Sequence, residues 1–150
     1  MANVMQKIGF SYFTSPKYLV NKHVNTWMSR LSQLGSSAVI LSADFERAIP
    51  EDIFLIAQKN GLEPIVHFTS ELPLARNFND IALLLDVYGK WGCRHIILGD
   101  RPNIKSAWPS TGWQYENLVD HFLDRFIPLA NYAVGIGMDL NTIASKKFVN

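Results

Sequence analysis

Cysteine is almost missing from this chain. Cys93 is the single one in 150 residues, so no disulfide can form within the chain and a cysteine-stapled scaffold is excluded. Charge is sparse and balanced, with 14 basic against 13 acidic residues and a net charge of +1. Without a basic stripe, nucleic acid is not expected as a partner. Long apolar runs are also absent. The longest, Phe126 to Met138, covers about 13 residues and is broken by Pro128 and Asn131, whereas a membrane span takes about 18–20. No membrane partner is expected, and MANVMQKIGF lacks the apolar core of a signal peptide, so the expected location is the cytoplasm. Gly135-Ile-Gly137 precedes a strand candidate rather than following one, which removes a dinucleotide loop. Gly-x-Ser-x-Gly, CxxC and HExxH are missing too, and no cofactor is expected.

What the chain does have is apolar content, 48% of its residues, enough for one domain, residues 1–150, with a sizeable core. A unit recurs along it: apolar strand, polar loop, amphipathic helix, glycine, next strand. The strand candidates are Ile8–Phe13, Ala38–Ser42, Ile65–Thr69, His95–Leu98 and Met138–Leu140. Their starts lie roughly 26–31 residues apart until a longer gap of about 43, the spacing of consecutive βα units. Gly35, Gly61, Gly92 and Gly137 each stand just before a strand, where a helix end favours positive φ. Runs such as AVIL and HIIL do not alternate with polar residues, as expected when helices cover both faces or a barrel closes.

The helices follow from apolar spacing. Lys17–Leu34 places Val20, Val24, Trp27, Met28, Leu31 and Leu34 on one stripe. A second helix starts in its first turn at Pro50 and ends at Asn60-Gly61. A third spans Asn79–Lys90, with Ile81, Leu84, Leu85 and Tyr88 inward. The fourth opens on the capping box Thr111–Gln114 and buries Leu118, Val119, Phe122, Leu123 and Phe126. Pro128 lies inside it and is expected to bend it. Residues 141–150 read as an irregular tail. The fold class is therefore α/β, with parallel βα units forming the N-terminal half, about four to five strands, of an incomplete eight-stranded barrel. A five-strand flavodoxin-like sheet is the alternative, and it requires a fifth helix.

Polar residues gather where strands end, the edge at which parallel α/β folds place their sites. Tyr12, Thr14 and Ser15 close the first strand, Asp44 and Glu46 the second, and His67 and Glu71 the third. The fourth ends in Asp100, Arg101 and Asn103. Asp100 and Arg101 can clamp one polar ligand, the guanidinium offering a rigid donor fork, or can fix the loop that Pro102 stiffens. Trp108 offers a platform on which a sugar ring can stack, while Trp113 packs at a helix start. His67, Asp44, Glu46 and Asp100 form an alternative set of metal ligands. In another reading they are solvated loop carboxylates and a hydrogen-bonded strand histidine. Cys93 reads as a small buried hydrophobe.

The run YGKWGCRHIILGDRPN, followed by SAWPSTGW and an amphipathic helix, resembles the N-terminal half of TIM-barrel glycoside hydrolases and their uncharacterised relatives. The likeness extends over about residues 7–140 in organisation and is specific around 88–130. It implies a small-molecule or oligosaccharide ligand held by Tyr12, His67, Asp100, Arg101, Asn103 and Trp108, with Asp100 the candidate catalytic residue. In the retaining hydrolases strand four ends in Asn-Glu, whose Glu is the acid/base. Here Arg101 stands at that position and cannot donate a proton at neutral pH. The family's nucleophile belongs to strand seven, beyond these units, and hydrolysis needs both carboxylates. The expectation is a truncated hydrolase-like barrel with a carbohydrate-binding rim and an inactive isolated chain. Two alternatives are a metal-dependent sugar isomerase or endonuclease-type barrel fragment, and a non-catalytic half-barrel that associates with itself through open sheet edges.

Overall fold

The computed structural model describes residues 9–12, 21–69, 78–102 and 117–143. Five strands alternate with four helices: β1 (Gly9–Tyr12), α1 (Asn21–Gln33), β2 (Ala38–Ala43), α2 (Glu51–Lys59), β3 (Glu63–Phe68), α3 (Phe78–Lys90), β4 (His95–Asp100), α4 (Leu118–Gly135) and β5 (Asp139–Ile143). The strands form one parallel sheet in the order β1-β2-β3-β4-β5. No reversal interrupts that order, which separates it from the flavodoxin-like sheet.

Neighbouring parallel strands joined by right-handed crossovers all send their helices to the same side. Burial follows. Val39, Leu41, Val66, Phe68, Ile96 and Leu98 are sealed on the helical side. Alternating with them, Ile40, Ile65, His67, His95 and Ile97 are only half-buried on the other. The unalternated apolar runs therefore do not mean helices on both faces. One face is covered and the other is open among the described residues.

The covered side holds the core. Tyr88 of α3 sits between Phe54 of α2 and Phe68 of β3, at ring centroid distances of 5.4 and 6.0 Å. Its buried hydroxyl accepts the Ile49 N–H at 3.0 Å, tying the entry of α2 to α3. Cys93 is buried at the start of the β4 unit, its thiol within 3.3 Å of the His95 carbonyl and 3.5 Å of the Pro64 carbonyl. Burial pushes that thiol up to about 11.

Several helical expectations change in detail. Among the described residues the buried stripe of α1 is Val24 and Met28, with Leu31 against it, while Val20 lies outside them. Trp27 and Leu34 are exposed instead, at 46% and 70%. Pro50 is the N-cap residue of α2, with φ −58° and ψ 141°, rather than its first helical residue. In α3, Ala82 is buried and Leu84 only partly so. The N-cap of α4 is Asn117; the expected box at Thr111–Gln114 lies outside the described residues. Val119 and Leu123 are exposed while Leu129 and Ala133 are buried. α4 continues through Pro128, which lies on its exposed side. β5 reaches Ile143, so the first three residues read as tail are strand. Gly35, Gly61, Gly92 and Gly137 have φ of 81°, 73°, 84° and 79°, the left-handed turn expected at each helix end.

Two measurements check this packing. Tyr88→Phe removes the buried acceptor of the Ile49 N–H and is expected to cost about 1–3 kcal/mol in urea denaturation. Cys93 is expected to resist iodoacetamide at pH 8 in the native protein and to react fully in denaturant. Its folded pKa is raised, so its share of stability is complete below pH 9 and lost as pH climbs towards about 11, because the unfolded chain deprotonates first.

Candidate functional site at the strand ends

The two ends of the open face differ in chemistry. At the N-terminal ends of the strands, His95 lies between two carboxylates. Its Nε2 is 3.1 Å from Glu63 Oε1 and its Nδ1 is 3.5 Å from Asp139 Oδ2. The ring thus stands between a carboxylate of β3 and one of β5 and links three neighbouring strands across the sheet. Sequence reading missed this group. The available signal was a polar residue two or three positions after each of Gly61, Gly92 and Gly137. Beside it a hollow of about 520 Å³ opens over Ile40, Ile65 and Ile97, reaching Asn141 of β5.

At the opposite ends the chain is shaped by a bulge. Ile97 is in register with Asn141, but Asp100 is in register with Ile143. Three steps along β4 thus match two along β5, and the extra residue returns Asp100 to the face that carries Ile97 and Asn141. Gly99 makes this possible with φ 74°. Arg101 follows at φ 50°, a left-handed conformation that costs a non-glycine residue roughly 1–2 kcal/mol. Its Nε donates to Asp100 Oδ2 at 3.2 Å, with both side chains about half exposed. Pro102 is buried just beyond.

On the neighbouring strand His67 is in register with Ser42 and Ile97. Its Nε2 is buried and has no hydrogen-bond partner among the described residues. An unpaired buried ring nitrogen carries a desolvation cost that most folds avoid. His67 and Asp100 therefore share a face and an edge. Asp44 has a different role: its Oδ1 accepts the Glu46 and Arg47 N–H groups at 2.9 and 3.0 Å, closing the loop after β2. Phe45 in that loop stacks on Phe68 at 4.7 Å. Glu46 is exposed. Among the described residues no three His, Cys, Asp or Glu side chains converge as metal ligands would. Tyr12 ends β1 in register with Leu41. Asn103, Trp108 and Trp113 lie outside the described residues, as do Thr14, Ser15 and Glu71.

The bulge has a direct test. Gly99→Ala forces an alanine into left-handed backbone and is expected to lower stability by about 1–2 kcal/mol. A thermal or urea melt reads this, and an unchanged midpoint would argue against the bulge.

No family model and no curated protein matches the chain. Among solved structures, the chain is similar to the crystal structure of an uncharacterized B. cereus protein, with 15% identity and a TM-score of 0.38. The match covers 89% of this chain and 46% of that one, so the chain spans less than half its length.

Proposed function

We propose that the C-terminal ends of β3 and β4 bind a small polyhydroxylated ligand of carbohydrate type, as part of a glycoside hydrolase-like half-barrel that does not itself catalyse hydrolysis. The observation that carries this reading is the bulge at Gly99. It brings Asp100 onto the open face beside His67, whose ring nitrogen lacks a partner among the described residues. A carboxylate and an imidazole on one face can accept and donate to neighbouring hydroxyls, and the Arg101 guanidinium adds donors at the rim. Trp108, eight residues after Asp100 in the sequence, is the stacking surface in this reading.

Hydrolysis is not part of the proposal because the chemistry is incomplete. A glycosidase places two carboxyl groups across the scissile bond. On this edge Asp100 is held by Arg101, and the residue after it is a cation where the resembling family has its acid.

Titration calorimetry against mono- and oligosaccharides tests the reading. Weak binding is expected, with Asp100→Ala, His67→Ala and Trp108→Ala each weakening it about tenfold, or about 1.4 kcal/mol. No reducing ends are expected to be released. Absence of binding to any sugar, or binding indifferent to Asp100→Ala and His67→Ala, would overturn the proposal.

A further inference from the structure

The two ends of the helical layer carry matching apolar flanks. α1 meets α2 on the side of Asn21, whose Nδ2 donates to Asp52 Oδ2 at 3.4 Å. Its opposite side presents Trp27, with the Arg30 guanidinium 5.6 Å from its ring, and Leu34 follows in the turn just past the helix, both exposed. α4 meets α3 on the side of Tyr132, whose hydroxyl donates to the Asp86 carboxylate at 2.8 Å and whose ring packs edge-on against Phe78. At 3.6 residues per turn, the far flank of α4 carries Val119, Leu123, Ile127 and Val134, all exposed. The flanks also match in charge: Arg30 and His23 border the α1 stripe on its solvent side, and Asp120 and Asp124 border that of α4. Among the described residues, β1 and β5 are the edges of the sheet beneath these helices.

From this pairing we infer that a second copy of this chain is the partner of these surfaces. The α4 flank of one copy packs on the α1 flank of the other, with β5 running beside the partner's β1. A two-fold axis repeats that seam on the other side, so both pairs of edges are used and no end is left to extend. The half-buried Ile40, Ile65 and Ile97 then face a closed interior. Copies with a net charge of +1 repel each other little, while Arg30 and Asp124 attract across each seam. This inference stands apart from the ligand reading, since it uses neither His67 nor Asp100.

Sedimentation velocity and light scattering over about 1–100 µM test it, because association depends on concentration. A species of twice the 17.0 kDa chain mass is expected. Ile127→Glu, at an exposed position, is expected to return it to monomer with an unchanged circular dichroism spectrum. Arg30→Glu is expected to weaken the dimer, and Asp124→Lys added in the same chain to restore it. This exchange tests the seam without touching an apolar residue. A wild-type monomer throughout, open assemblies larger than a dimer, or a dimer indifferent to both Ile127→Glu and the charge exchange would overturn it.

Discussion

A right-handed crossover between adjacent parallel strands fixes the side on which its helix lands. When strand order follows chain order, as it does from β1 to β5, every helix lands on the same side. The rest of the molecule depends on this. It makes one sheet face a core and, among the described residues, leaves the other uncovered. Among the described residues it also gives α1 and α4 one neighbouring helix each, since they end the layer. The exposed Trp27, Leu34, Val119, Leu123, Ile127 and Val134 are consequences of that arrangement rather than scattered exceptions. Isolated surface apolar residues need no explanation, but stripes at both ends of a layer do.

Within the covered side, Tyr88 joins elements that are distant in sequence. Its ring touches Phe54, Phe68 and Trp91, and its hydroxyl satisfies the backbone of Ile49. Burial raises the phenol above its ordinary pKa, so it remains a neutral ring with one polar tip, suited to a site that is apolar except at one point. The fixed entry of α2 in turn limits the loop after β2. There Asp44 closes the turn on its own backbone and Phe45 lies flat on Phe68. A carboxylate that looks chemical in sequence is here a turn residue.

The order and type of the elements were legible in the sequence because helix-period stripes, glycine stops and apolar runs agreed with one another. Faces were less legible. HIIL reads the same whether its alternate residues meet helices or lie open, because Ile97 is apolar on the uncovered face. The stripe of α1 was overdrawn for a related reason: Trp27 and Leu34 fit the helical period but lie on the flank where no described helix follows. At the site, the polar cluster at Asp100 and Arg101 was visible, but the bulge was not. Gly99 within IILGD is its only local sign, and register against β5 cannot be read from one strand. The His95 group was hidden because its three members are far apart in sequence and meet only through strand pairing.

These two edges distribute cost differently. At the N-terminal ends of the strands, His95 finds a carboxylate for each nitrogen and links three strands. At the C-terminal ends, Gly99 and Arg101 adopt left-handed backbone and His67 keeps a buried nitrogen without a described partner. Strain and unsatisfied polarity persist only where surrounding structure over-determines them, and here the bulge in β4 and the buried Pro102 supply that constraint. A fold that needed only stability would gain by a regular β4 and an apolar residue at position 67. The left-handed Gly99 and Arg101 stand on the edge that also carries Asp100 and His67, the edge at which binding is proposed, while His95 ties neighbouring strands together at the opposite edge.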